Sequence, residues 1–256
     1  MTAVQLTLAG RTYRLGQGVD LAVPLNCSGP QPNAFGVPPA TAQAYAGPGF
    51  VLDTRQGGSC NCEVLTLIPH CHGTHTESVG HLTTDRFPLT AVLPEPFLPC
   101  TVVSLLPRGQ ELDAPLVEQV LAVRQPEFLT ALVVRTVPNP VEKRTRRWEP
   151  ATTPYFTPDA MHVIRDRGVQ HLLVDLPSVD PLQDGGRLAA HRVFWELPPG
   201  SQQLPAEHAR RRTITELIYV PDEVPDGRYL LTLQVPRLVS DAVPARPVLY
   251  FLDEGS

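Results

Sequence analysis

Residues 70–81 read His70-Cys71-His72-Gly73-Thr74-His75-Thr76-Glu77-Ser78-Val79-Gly80-His81. Four of the chain's eight histidines, one thiol and one carboxylate fall within these twelve positions. No packing periodicity calls for that density. Imidazole, thiolate and carboxylate are the side chains that bind divalent transition metals, and Gly73 permits a tight turn on which they can converge. The run points to a metal centre.

The surrounding elements must hold that centre in place. Val4–Leu8 and Thr12–Leu15 flank Ala9-Gly10-Arg11 as a short hairpin, and Val19–Leu25 reads as a further apolar strand. Residues 27–50, rich in Pro, Gly, Ala and Gln, read as a long irregular loop. Asn61–Ile68 alternates as a strand that would run directly into the histidine cluster. Thr101–Leu106 and Leu129–Arg135 are short, β-branched and apolar, the pattern of buried strands. Between them Asp113 can cap a helix through Val123, with Pro115 in its first turn. Thr157-Pro158-Asp159 is a stronger helix start, and that helix should stop at Gly168, before a strand at His171–Leu176. Strands return at Thr213–Val220, Tyr229–Val235 and Val248–Leu252. The alternation predicts a single α/β domain over 1–256, a mixed sheet or small barrel with helices on its outside.

Composition narrows the function classes. A net charge of −5 over 256 residues gives no electrostatic case for nucleic acid or an anionic membrane. The opening Met1–Leu6 lacks a basic segment followed by an apolar one, and no apolar run approaches the roughly 20 residues that span a bilayer. Five cysteines are too few, and odd in number, for a disulfide scaffold, so the chain reads as reduced and cytoplasmic. The 29 prolines are scattered rather than repeated, and stiffen loops between short elements.

The cluster resembles the motif of the cyclase family of metal-dependent hydrolases, which includes kynurenine formamidase-like and isatin hydrolase-like members: His-x-Gly-Thr-His-x-Asp-x-Pro-x-His. Gly73, Thr74, His75 and His81 match, while Cys71 stands for the first His, Glu77 for the Asp and Val79 for the Pro. Val19-Asp20-Leu21 with Pro24-Leu25 looks like the family's opening strand, and Val133–Thr136 is similar to its central strand. Val174-Asp175-Leu176-Pro177-Ser178-Val179-Asp180 looks like its Asp-x-Pro-Ser-x-Asp segment. His191, Glu216, Val235–Leu238 and Ala245-Arg246-Pro247 follow in the same order, so the likeness runs from about residue 19 to 252. The resemblance implies a swivelling β/β/α fold, assembled as homodimers or larger oligomers. It implies a first metal on Cys71, His75 and Glu77, and, where a second ion is present, Glu77 bridging to it with His191 and Glu216. His81 would be the proton-transfer residue, with Thr74 and Asp180 supporting the imidazoles. The implied reaction is metal-dependent hydrolysis of a carbon–nitrogen amide bond. N-formylkynurenine, opened to kynurenine and formate in tryptophan breakdown, is the leading small-molecule substrate, and a related cyclic amide is the next. The competing function is a catalytically impaired metal- or ligand-binding protein on the same scaffold.

Thiolate for imidazole at Cys71 would favour zinc over manganese. A shift of register would instead make His72 or His70 the ligand and leave Cys71 a packed thiol. Cys60 and Cys62, on one side of a strand, could join Cys71 and a histidine in a structural zinc site, although buried thiols are the plainer account. Cys27 and Cys100 read as core or loop thiols, and His162, His171 and His208 as packed or solvated. Lys143-Arg144-Thr145-Arg146-Arg147-Trp148 reads as a solvated basic loop, whose position resembles a substrate-side loop of the family that could close over a carboxylate or aromatic substrate; Arg210-Arg211-Arg212 reads as solvated too.

Overall fold

The apolar runs lie at the centre of a mixed sheet. The computed structural model describes residues 4–8, 10–92 and 95–254. Met1–Ala3 and Ala9, parts of the N-terminal reading and of the hairpin turn, lie outside the described residues. In chain order the sheet's ten strands are β1 (Gln5–Leu8), β2 (Arg11–Asp20), β3 (His75–Glu77), β4 (Leu98–Leu105), β5 (Ala131–Thr136), β6 (His171–Val174), β7 (Thr213–Glu216), β8 (Gly227–Gln234), β9 (Ala242–Pro244) and β10 (Arg246–Glu254). Their spatial order is β1-β2-β10-β8-β4-β5-β6-β7-β3-β9. Strands β4 to β7 run parallel to one another, and the remaining pairings are antiparallel. The order runs from one edge to the other without closing, so of the two expected forms the open mixed sheet is the one found among the described residues.

The central strands are buried on both faces, which is why they read as unbroken apolar runs. Along β5, Leu132 and Val134 join a core with helices α1 (Ala114–Leu121), α2 (Pro158–Asp166) and α3 (Ala189–Phe194). The intervening Ala131 and Val133 face the opposite core with Val102, Leu231 and Leu249. Leu121 and Ile164 are wholly buried on the helical side, each worth about 1.5–3 kcal/mol of transfer free energy. The helix starts follow the sequence. Asp113 Oδ1 accepts the Leu116 N–H at 3.0 Å, and Thr157 Oγ1 accepts that of Ala160 at 3.2 Å. Gly168, at φ +84°, turns the chain out of α2.

Four expectations change in detail. Val19 and Asp20 belong to the end of β2, and Ala22 makes only an isolated bridge to Ile218. Within 27–50, Thr41–Ala44 is a strand that pairs with Glu63–Thr66, and Ala46–Gly47 pairs with Phe50–Val51. The strand expected over Asn61–Ile68 is therefore outside the main sheet, and a 3-10 turn at Pro69–Cys71 separates it from the cluster. Strand β7 stops at Glu216 because Leu217 takes a left-handed conformation, φ +55°, and its N–H turns to the Leu176 carbonyl at 2.8 Å.

Candidate metal centre

The three-residue strand β3 lies between β7 and β9, in a register that decides what the site contains. His75 stands opposite Glu216, and Glu77 opposite Ile214 and Ala242. Side chains alternate along a strand, so His75, Glu77 and Glu216 share one face. Thr76 and Thr215 point the other way, where their hydroxyls bond to each other at 2.8 Å. Three donors thus meet by pleat geometry alone.

Two further segments close the basin. After β6 the chain runs through Ser178–Asp180, and the Val179 N–H donates to Glu216 Oε1 at 3.0 Å. Asp180 receives the first N–H groups of α3, from Ala190 at 2.7 Å and His191 at 3.1 Å, and its Oδ2 lies 2.6 Å from His191 Nδ1. That contact turns His191 Nε2 into the basin, 3.0 Å from Glu77 Oε1 and 3.6 Å from Glu216 Oε1. His75 Nδ1 donates to the Gly73 carbonyl at 3.1 Å, which leaves Nε2 facing Glu216 Oε2 at 3.4 Å. From the 3-10 turn, His70 Nε2 reaches to 3.4 Å from Glu77 Oε2 and 3.3 Å from Asp241 Oδ2. The His81 ring stacks on His70 with centroids 4.4 Å apart.

Burial raises the cost of charge here, and the partners outweigh it. Desolvation opposes ionisation of Glu216, yet the His191 and His75 imidazoles beside it hold its carboxyl at about 2. Glu77 is likewise lowered against its burial by the imidazoles around it, His81 first and then His191. His191 is raised well above its ordinary value: burial opposes that too, but Glu77 and Asp180 dominate.

A metal ion fits this chemistry. His70 Nε2, His75 Nε2 and both Glu77 oxygens are buried without a hydrogen-bond partner, a costly state that a shared cation would relieve. Two groups have donor atoms within 4.8 Å of one another: His70, Glu77 and His81, and His75, Glu77 and Glu216. Glu77 belongs to both.

Of the residues singled out in the sequence, His75, Glu77, His81, His191 and Glu216 are brought together. Cys71 is adjacent but in neither group, and burial pushes its thiol up to about 11. His72 is fully used by the backbone: Nδ1 accepts the Ile68 N–H at 2.9 Å and Nε2 bonds the Pro38 carbonyl at 2.9 Å. Cys60 and Cys62 are exposed and join no donor group among the described residues. Asp180 orients an imidazole as expected, whereas Thr74 ties backbone together, accepting from Val23 N at 2.8 Å and donating to Leu217 O at 2.6 Å. The basic stretch is not wholly solvated: Lys143 is 5% exposed and ion-paired to Asp175 at 2.8 Å. A buried carboxylate, one strand away, selects it. Asp241 is the site residue that spacing alone misses, because only the pairing of β9 with β3 brings it to His70 and His81.

This fold and donor set define a hydrolase-type divalent-metal basin at the edge of a mixed sheet. The sequence profile described as "Putative cyclase" matches residues 19–181, and the chain belongs to the cyclase family. A kynurenine formamidase of Paracidovorax citrulli is 30% identical over 193 residues, covering 74% of this chain and 79% of that protein. A predicted metal-dependent hydrolase from Bacillus stearothermophilus superposes with a TM-score of 0.62 at 17% identity, over 91% of this chain and 98% of that one. An isatin hydrolase bound to the product analogue thioisatinate gives 0.61 at 16% identity, over 92% of each chain.

Proposed function

We propose that this cyclase-family hydrolase cleaves a carbon–nitrogen amide bond in a small molecule, with an N-formylated arylamine of the N-formylkynurenine type as the leading substrate. The observation that carries the reading is the set of unpartnered, buried donor atoms on His70, His75 and Glu77, in a chain 30% identical to a kynurenine formamidase. His70, His75, Glu77, His191 and Glu216 would hold the metal, with Glu77 shared between two positions and His70 in the role that the motif frame gave to Cys71. Zinc is the ion we assign, since imidazole and carboxylate donors suit it; manganese is its competitor. When bound, the ion acidifies a water and polarises the amide carbonyl.

The remaining work belongs to the chain. His81 Nδ1 is turned to Asp241 Oδ2, 3.8 Å away, so Nε2 is the atom that takes a proton from the attacking water. Water oxygen bonds to the amide carbon, the carbon–nitrogen bond breaks, and His81 returns the proton to the leaving nitrogen; a formanilide yields formate and the arylamine. Asp180 keeps His191 in one tautomer through its Nδ1.

The test is hydrolysis of N-formylkynurenine and simple formanilides by zinc-loaded protein. Activity that His81→Ala lowers at least 100-fold is expected; no hydrolysis of any formanilide or cyclic amide would refute the reading and favour a binding protein on this scaffold. We further propose a homodimer, one domain per chain, acting in the cytoplasm on tryptophan breakdown. The ribbon of Thr41–Ala44 and Glu63–Thr66 supports the dimer. Its neighbouring residues Val64 and Leu65 are 50% and 58% exposed on opposite faces, and an isolated two-stranded ribbon is marginal in water. No helix among the described residues is long and apolar enough to cross a membrane.

A further inference from the structure

The basin opens into a cavity of about 440 Å³ whose wall includes His70, His81, Thr83, Arg86 and Asp241. Two of these residues carry permanent charge. Asp241 is already engaged by His70 at 3.3 Å and His81 at 3.8 Å. Arg86 is not engaged: among the described residues it has neither a carboxylate nor an aromatic ring against its guanidinium. Most other arginines of the chain do. Arg55, Arg108, Arg135, Arg212 and Arg246 are paired with carboxylates, and Arg144 and Arg146 lie over Tyr219 and Trp148.

The backbone beneath Arg86 is fixed rather than loose. Arg86 has φ +46°, a left-handed conformation unusual for a side chain of this size. Its N–H donates to the Thr83 carbonyl at 3.2 Å, and the next residue's carbonyl, on Phe87, accepts the Ser78 hydroxyl at 2.5 Å. Gly80 makes room for this: a Cβ there would lie 2.2 Å from Phe87 O and 2.9 Å from Arg86 C. The segment that carries Arg86 is thereby bolted to the turn that carries His81. An exposed guanidinium thus stands on a fixed stretch of backbone in the wall of the cavity that His70 and His81 also line.

We propose that Arg86 is a specificity-determining residue that binds a carboxylate on the substrate, so that the preferred substrates are amides bearing a second, anionic group. This rests on the amide-hydrolase reading for the reaction, but not for the binding step. A guanidinium offers a planar fork of donors that matches a carboxylate in two bonds. An anion at the mouth would place its amide towards His81, whereas an uncharged amide would bind without that orientation.

Two measurements on zinc-loaded protein test this. The first is the ratio of kcat/KM for a ring-carboxylated formanilide to that for unsubstituted formanilide. The second is calorimetric affinity for an aminobenzoate, the product-like aromatic carboxylate. Arg86→Asn suits the left-handed backbone and keeps the fold; Arg86→Lys keeps charge but loses the fork. Wild type should prefer the carboxylated substrate, and Arg86→Asn should cut both the preference and the aminobenzoate affinity by about 10- to 100-fold, with Arg86→Lys between. An unchanged ratio and affinity in Arg86→Asn would overturn the inference while leaving amide hydrolysis standing. Arg86-dependent aminobenzoate binding with no hydrolysis of either formanilide would uphold the anion site and overturn the amide-hydrolase reading.

Discussion

Replacing Lys143 by Met should be among the most damaging single changes in the molecule, although the residue lies far along the chain from the histidine cluster. The residue is 5% exposed, and its ammonium is enclosed by acceptors. It donates to Thr136 O at 2.6 Å, Thr136 Oγ1 at 2.8 Å, Asp175 Oδ2 at 2.8 Å and Asn139 Oδ1 at 3.3 Å. Burial pushes the Asp175 carboxyl up and the Lys143 amine down, and each offsets part of the other's cost. Removing the lysine leaves a 1% exposed carboxylate with only the Thr136 N–H and hydroxyl, each at 2.9 Å. Breaking a buried pair in this way costs about 3–5 kcal/mol, which corresponds to a fall in Tm on the order of 10 °C for a chain of this size. Urea unfolding followed by circular dichroism reads the loss. The double change Lys143→Met with Asp175→Asn should be less damaging than the sum of the single changes, by about 2 kcal/mol, because it removes the stranded charge. A cost below about 1 kcal/mol for Lys143→Met, or strict additivity in the double, would refute the reasoning.

Metal content separates the two first-ligand readings: Glu77→Ala and His70→Ala should each lower bound zinc by plasma mass spectrometry, whereas Cys71→Ser should retain it. Loss of zinc in Cys71→Ser alone would restore the thiol to the site. Asp180→Asn removes the charge and one of the two oxygens that receive the Ala190 and His191 N–H groups and His191 Nδ1, and should reduce zinc affinity or turnover about 10- to 100-fold with the fold retained. His171 is buried and its pKa is lowered by burial from 6.5 to about 4. The unfolded chain therefore binds the extra proton first, and stability present above pH 6.5 falls by up to about 3 kcal/mol as pH drops to 4. A His171→Gln protein, compared at pH 7 and pH 4.5, should lose less stability than wild type over that interval; an equal loss would assign acid sensitivity elsewhere.

The sheet's centre was legible because doubly buried strands and capped helices carry local signals: Val133 between two cores, Thr157 before Pro158, Gly168 after α2. The strand expected over Asn61–Ile68 forms at Glu63–Thr66, but off the main sheet, since that stretch is exposed throughout and has no apolar face to bury. Alternation reports a strand, not the sheet it joins. At the site, His75, Glu77 and His81 are close in sequence, and Glu216 and His191 were reached through the family's order of motifs. Asp241 and Lys143 were hidden for a physical reason. Each is defined by a partner more than thirty residues away, His70 for one and Asp175 for the other, and neither leaves a trace in its own neighbourhood.

The short turn at Pro69–Cys71 bears on how such a centre can change over time. Within β3 a shift of one residue rotates a side chain by half a turn to the opposite face of the sheet, so His75 and Glu77 cannot migrate without destroying the basin. A 3-10 turn steps by a third of a revolution per residue, and it lies outside the ladder that fixes β3. A donor there can move to the next position and still reach the shared carboxylate, as His70 does at 3.4 Å from Glu77 while Cys71 turns inward. Sequence drift in this centre therefore has a soft point and a hard one. If His70 is a ligand, as proposed, the turn is the part of the centre where donor position can vary while the strand donors stay fixed.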